Sequence, residues 1–346
     1  MIATGSPSAR SRFLKVAALP LLVVGLYAIA IASTLTVPAV SRDYVAAVAA
    51  PFDLMVSVPV LAYVLVLRRA GFSPLFALPL VWIGFAASTQ IVPADQRAFL
   101  SLLFASAVAA DVAVIGREAF RIVRAFRDAR ARHSDPALWF APAIAPLFPN
   151  RAPAHLAGLE AATLFYAVGT WHRTADAPEG TQAFTTHKNS GYGAMIAGLS
   201  LALPAEVFAI HLLVAKYSPE AAIVVTALSL YSMLWLVGDW RATVLRPLLV
   251  TGDELVVRSG VRFAARIPLD AIASVGRTAP DLPKDEIANL AMLGSIPTWI
   301  VLDRPVPTPT FLGADRPTRA IALTLDDEPA LRRAIEEAQA TRMSKE

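Results

Sequence analysis

The sequence predicts a polytopic α-helical membrane bundle of six or seven spans, followed by a small β-rich domain that ends in a helix. Three observations predict it. Of 346 residues, 56% are hydrophobic and only 17% are charged, against about 25% charged in an ordinary soluble domain. The charge is uneven: residues 1–240 hold 17 Lys and Arg with 13 Asp and Glu, whereas residues 241–346 hold 14 of each. Several stretches approach or reach the roughly 20 apolar residues needed to cross the hydrocarbon core. This composition excludes a disordered chain. The absence of cysteine excludes a disulfide scaffold and a thiolate metal or redox site.

Four spans are expected within residues 1–116, over about Phe13–Ser33, Val45–Leu67, Phe72–Val92 and Ala98–Ile115. The first has Arg10, Arg12 and Lys15 ahead of it and Ala30 to Ser33 behind, as a signal peptide would. Its apolar core is longer than a signal's and more spans follow, so it reads as a retained span. Two or three more are expected within residues 155–240, over about His155–Trp171, Tyr192–Ala215 and Pro219–Trp240. The His155–Trp171 stretch is short and carries Glu160.

Arginine placement sets the orientation. The cations before the first span, Arg68 and Arg69 after the second, and the run after the fourth place the N-terminus in the cytoplasm. The same rule puts residues 117–154 there, in a multi-pass protein of the inner membrane. With seven spans the domain after residue 241 lies outside. If the fifth stretch lies flat or re-enters, six spans remain and the domain is cytoplasmic. His172, Arg173, His187 and Lys188, with Arg241 and Arg246, favour the cytoplasmic side.

The 117–154 segment opens with an arginine-rich amphipathic pattern. Arg117, Arg121, Arg124 and Arg132 gather on one side of a helical wheel, and Ala119, Ile122, Val123 and Phe126 on the other. Such a helix suits a membrane surface, with its arginines near anionic lipid phosphates. The same run serves equally to stop the fourth span and fix topology. Pro142, Pro146, Pro149 and Pro153 make the remainder an interfacial or packed linker.

Charges in the apolar phase are costly, which makes them candidates for function. Asp53, Asp111 and Asp239 have ready explanations as interfacial or locally paired groups, Asp111 with Arg117 and Asp239 with Arg241. Glu160, Glu206 and His211 are harder to dismiss and, with Asp239, form the candidate set of membrane-buried polar residues. Glu206 and His211 follow Pro204, about 140° apart around one helix. They can therefore meet only through partners on neighbouring helices, such as Glu160 or Asp239. A cluster of this kind would bind a proton, a metal or a polar headgroup; the alternative is interhelical hydrogen bonding. No HExxH-type spacing is present and no metal site is expected. The loop Phe184–Gly193 sets His187, Lys188, hydroxyls and two glycines at a helix start, which suits either an anion or an N-cap at Asn189 or Ser190.

After residue 241 the pattern changes to short strands and turns. Strands are expected over 248–251, 254–258, 261–268, 273–277, 298–302, 308–312 and 319–325, with a brief helix over 285–293. A final helix over about 329–341 is capped by Asp326 or Asp327. The stretches LLVTGDELVVRSGVRFAARIPLDAIASV (248–275) and TWIVLD…RAIALTLDDEPALRRAI (298–335) resemble the bacterial PH-like domain that trails membrane spans. Ile267, Pro268 and Ile272 occupy the places of that family's isoleucine-proline and isoleucine element. The resemblance covers roughly the last 95 residues and none of the spans. It implies a small PH-like β-barrel with a C-terminal helix, acting as a scaffold or membrane-associated module without catalytic residues. Arg258, Arg262 and Arg266 alternate around a hairpin, as a basic patch facing lipid headgroups or as a solvated strand face.

There is no nucleotide fingerprint, P-loop, nucleophile elbow or kinase signature, so no cofactor is expected. Arginines gathered between apolar runs are a topology signal, and no nucleic acid partner is expected. The function expected is that of a non-enzymatic integral membrane protein whose C-terminal module makes protein or lipid contacts at the membrane surface. Its partners would be membrane lipids, anionic ones above all, or another membrane protein. One alternative is a transporter or proton-linked channel using Glu160, Glu206, His211 and Asp239, although no inverted repeat is evident. The other is a membrane-embedded lipid-modifying enzyme with Glu206 and His211 as acid and base.

Overall fold

The computed structural model describes residues 24–29, 31–32, 43–188, 191–292 and 295–343. Most of the expected Phe13–Ser33 span lies outside the described residues. The helices are α1 (Val45–Ala70), α2 (Pro74–Ile91), α3 (Ala98–Arg132), α4 (Arg151–Gly169), α5 (Tyr192–Ala215), α6 (Pro219–Leu245) and α7 (Glu328–Met343). Among the described residues, five of these are long and apolar enough to cross a membrane: α1, α2, α3, α5 and α6. By its contacts the chain divides into two compact units. One joins the described residues up to Arg127 with Ala143–Asn150, and the other joins Asp128–Pro142 with Arg151 onward.

In the first unit, α1 carries Pro51 and Pro59, which lack an N–H and crowd the carbonyl four residues back. The turns before both prolines widen into π geometry, at Val45–Ala49 and Asp53–Ser57, and so give the rings room. α1 and α2 touch backbone to backbone: a Cβ on Gly84 would fall 2.0 Å from the Leu54 carbonyl oxygen. α3 runs unbroken for 35 residues, about 52 Å, against a hydrocarbon core of about 30 Å. The fourth span and the arginine-rich arm are therefore one helix.

In the second unit, the stretch from the short turn Pro136–Leu138 to Pro142 packs against α4. Asp135 reaches Tyr166 near one end of α4, and Ala141 presses on Gly158 nearer the other. α4 buries Ala154, Gly158, Ala162 and Tyr166 at four-residue spacing. α6 packs alongside, its Gly238 so close that a Cβ would lie 2.2 Å from the Thr163 carbonyl oxygen. Small residues let the two backbones approach in this way. The expected His155–Trp171 span is thus a helix packed within its unit, and not one of the five long apolar helices. α5 and α6 form a hairpin. Ser218 caps α6 by accepting the Ala221 N–H at 3.1 Å, with Pro219 as its first residue. Only 6% of the apolar window of α5 and 11% of that of α6 is buried within the chain. Leu201, Phe208, Ile223 and Leu228 stand exposed, as lipid-facing side chains do.

Among the described residues the strands make two four-stranded sheets and not the closed β-barrel expected. The first is antiparallel, β1 (Gln182–Phe184), β2 (Leu248–Val250), β3 (Glu254–Ser259) and β4 (Phe263–Pro268), in that order. The second contains β5 (Ile272–Gly276), β6 (Ile287–Leu290), β7 (Thr298–Pro309) and β8 (Asp315–Leu323), ordered β5-β7-β8-β6, with β6 parallel to β8. Leu255, Val257 and Ile267 from the first sheet meet Ile300, Leu302 and Ile321 from the second, and α7 closes this core with Leu331 and Ile335. Asp327 caps α7, accepting the Ala330 N–H at 2.9 Å.

Three details differ from the sequence pattern. Residues 287–290 are a strand, because their apolar side chains and backbone complete the edge of β8. Residues 298–309 form one strand where two were expected. Pro305, Pro307 and Pro309 sit at alternate positions, so their missing N–H groups can all fall on the edge that β5 leaves unpaired beyond Leu302. The third is β1, which comes from the loop between α4 and α5 and pairs Phe184 with Leu248.

The close approach of α4 and α6 makes a prediction. Gly238→Val should destabilise the full chain in detergent by about 1–3 kcal/mol or more. Gly198→Val, with nothing within 4 Å of its added Cβ, should leave the melting temperature nearly unchanged. Thermal unfolding of the two variants side by side checks this.

Candidate functional site

Two clusters of charged residues form where α4, α6 and the first sheet meet. In the first, the chain leaves α6 at Arg246, whose side chain is 1% exposed. Its guanidinium forks onto Asp135, Nε to Oδ1 at 3.0 Å and Nη2 to Oδ2 at 2.8 Å, and Nη1 donates to the Gly260 carbonyl. Arg258, on β3, lies 4.0 Å from Asp135 and donates to Asp176 at 2.9 Å. The Tyr166 hydroxyl donates to Asp135 at 3.4 Å, and the Asp176 N–H donates to the Leu245 carbonyl at 2.9 Å. Two arginines thus face two carboxylates in a buried, charge-balanced group. Burial pushes the Asp135 carboxyl up, but the adjacent Arg246, then Arg258 and the Ala137 N–H, outweigh this and hold it below its ordinary value of 3.8.

The second cluster centres on Asp239, about two turns earlier on α6 and 1% exposed. Its Oδ2 accepts from Tyr192 at 2.8 Å and from Arg262 at 3.1 Å. Gly260 separates the clusters. Its φ of +51° is left-handed, and a Cβ there would lie 2.4 Å from Asp239 Oδ1. Only glycine satisfies both constraints.

Beside Asp239 opens a cavity of about 720 Å³. Its lining includes the polar residues Tyr192, Asp239, Arg262 and Arg316 and the apolar residues Met195, Trp235 and Phe311. Arg316 donates to the Ile287 carbonyl at 2.8 Å. Among the described residues it has no carboxylate within ion-pair distance, and its buried Nε has no hydrogen-bond partner.

The sequence candidates fall in different places. Asp239 belongs to the second cluster, paired with Arg262 and not with Arg241, which caps the end of α4 by donating to the carbonyls of Thr170, Trp171 and Arg173. Asp111 accepts from Trp82 at 2.7 Å instead of meeting Arg117. His211 bonds Thr226 across the α5–α6 hairpin at 2.8 Å. Glu206 is exposed on α5, and Oε1 of Glu160 is buried without a hydrogen-bond partner. Among the described residues, no hydrogen bond or ion pair joins any two of Glu160, Glu206, His211 and Asp239, and no group of three His, Asp or Glu is placed to hold a metal.

Arg117, Arg121, Arg124 and Arg132 are all exposed along α3, and Arg121 also pairs with the buried Glu118 at 2.8 Å. The three hairpin arginines part company. Arg258 is buried because the chain around Asp135 and Asp176 covers that end of its sheet face, Arg262 turns to Asp239, and Arg266 is exposed and paired with Glu254. The loop before α5 ties itself to the module: the Lys188 N–H donates to Asp326 at 3.1 Å and the Thr185 carbonyl accepts the Asp326 N–H. Its Asn189 and Ser190 lie outside the described residues.

No family model matches the chain, and no curated protein or solved structure does either. What the site does must therefore be argued from its own geometry. Asp135, Asp176 and Arg316, which sequence reasoning passed over, carry much of that geometry. Asp135 and Arg246 are 111 positions apart, and no local pattern signals a pair of that kind.

Arg246→Ala should lower stability by about 3–5 kcal/mol, because it strands a buried carboxylate. Asp135 also predicts a pH dependence. Its native value is depressed, so its contribution is full above about pH 4 and is lost as pH falls through the native value. Melting temperature should therefore drop steeply in acid, and Asp135→Asn should flatten that part of the profile while lowering the plateau.

Proposed function

We propose that the chain is a non-enzymatic inner-membrane protein of six spans, whose cytoplasmic, PH-like module contacts lipid at the membrane surface. One observation carries this reading. The β7–β8 hairpin ends in a turn whose Phe311 and Leu312 are 59% and 53% exposed. That turn lies against the start of α4, where Gly313 meets His155, and Phe311 lines the same cavity as Trp235 of α6. Trp235 is ten residues before the end of α6, about 15 Å along its axis. An exposed apolar turn that shares a cavity with a tryptophan of an apolar helix suits contact with the membrane.

Parity supports the topology. Asp135, Tyr166, Asp176 and Arg246 bond to or lie beside one another, so they share one side of a bilayer and an even number of crossings separates any two. That favours α5 and α6 crossing as a pair, with α4 re-entering or staying at the surface. It also agrees with the positive-inside expectation for Arg130 and Arg132 at the end of α3. The PH-like reading of the module draws support from two packed sheets closed by a C-terminal helix.

A photo-crosslinking residue at Leu312 should yield lipid adducts in membranes, whereas one at Glu336 on α7 should yield none. Absence of lipid at position 312, or equal yields at both positions, would reject the reading. A reporter fused after Glu346 should be active only where cytoplasmic folding is required.

A further inference from the structure

We infer that the cavity beside Asp239 is a binding site for one anionic phospholipid, with Arg262 and Arg316 holding the phosphate and the apolar wall taking the upper acyl chain. This rests on the reading that the module meets membrane lipid, and it adds the site, the charge of the headgroup and the residues that select it.

Charge comes first. The lining includes two guanidinium groups, Arg262 and Arg316, and the single carboxylate of Asp239. Asp239 engages Arg262 through one nitrogen, Nη2, and Arg316 spends only Nη2, on a backbone carbonyl. A guanidinium has five N–H donors, so both retain donors after these bonds. Among the described residues Arg316 has no carboxylate partner, while Arg262 is half-exposed. A phosphate supplies the missing charge and acceptors in the forked geometry that arginine favours.

Shape distinguishes a lipid from a soluble phosphate ester. Trp235 lies one helical turn from Asp239, about 6 Å, and Met195 lies at the corresponding position, one turn into α5 from Tyr192. With Phe311 they supply apolar lining to the same cavity, and Met195 is itself 47% exposed on a helix that the chain leaves largely uncovered. A headgroup at the arginines would therefore lead its chain along the outside of the α5–α6 hairpin. A volume of about 720 Å³ lies within the usual range for a small-molecule site, enough for a headgroup and the first part of a chain.

The test is lipid titration of the detergent-purified full chain, followed by native mass spectrometry. Phosphatidylglycerol should bind in preference to phosphatidylcholine of the same chains. Arg316→Gln should weaken phosphatidylglycerol by about tenfold, the loss of one charge-assisted contact, without lowering the melting temperature or changing phosphatidylcholine binding. Met195→Glu should weaken it as well, through the chain rather than the headgroup. Equal binding of the two lipids, or full phosphatidylglycerol binding by folded Arg316→Gln, overturns the proposal. So does displacement of phosphatidylglycerol by glycerol 3-phosphate combined with indifference to Met195→Glu, which would make the cavity a site for a soluble phosphate ester. The broader reading fails separately: lipid adducts at Leu312 with an indifferent Arg316→Gln would keep surface contact and remove the cavity site.

Discussion

The second unit depends on one buried interaction, the fork of Arg246 onto Asp135. Taking an arginine and a carboxylate out of water costs several kcal/mol per ion, and the cost is recovered only where geometry and further hydrogen bonds are good. Here they are supplied from every side: a tyrosine from α4, a carbonyl from the β3–β4 turn, and a second arginine from β3 that brings its own carboxylate. Each contribution comes from a different segment. The linker before α4, the loop after it, the end of α6 and the first sheet are therefore held in one arrangement by a single electrostatic requirement. A partly assembled version would leave a buried charge unanswered, which makes the arrangement close to all-or-none.

The β3–β4 turn passes that constraint on to the cavity. The carbonyl of Gly260 is fixed by Arg246 while its Cα lies against the Asp239 carboxylate. The position of Arg262, two residues on, follows from both. The structural ion pair and the proposed lipid site are thus neighbours on the same turn, one buried and balanced, the other open and carrying an excess of positive charge.

Much of this was legible in the residues, for physical reasons. Apolar length reveals the long helices because the bilayer imposes one dominant requirement on a crossing segment. A cap such as Asp327 is readable because it acts within three residues of itself. Most strands of the module follow from alternation around short turns. What sequence could not show was set by distant partners. Arg258 has the spacing of an outward-facing strand residue, yet the chain around Asp135 and Asp176 covers it. The strands expected over 298–302 and 308–312 are one strand, because one edge of β7 is free to accommodate Pro305, Pro307 and Pro309. Asp135 looks like an ordinary turn residue, and so it is, accepting the Ala137 N–H, until the chain returns 111 residues later.

The pairing of Phe184 with Leu248 has a consequence for the order in which the protein is made. β1 is synthesised before α5 and α6, and its partner β2 only after them, so the whole hairpin is an insertion between two adjacent strands. The first sheet must wait, with its leading strand unpaired, until both helices have emerged from the ribosome and the chain has come back to where it left. With both helices crossing the bilayer as proposed, failure of one to insert would leave the two strands on opposite faces. Completion of the module thereby reports that the hairpin before it was threaded correctly.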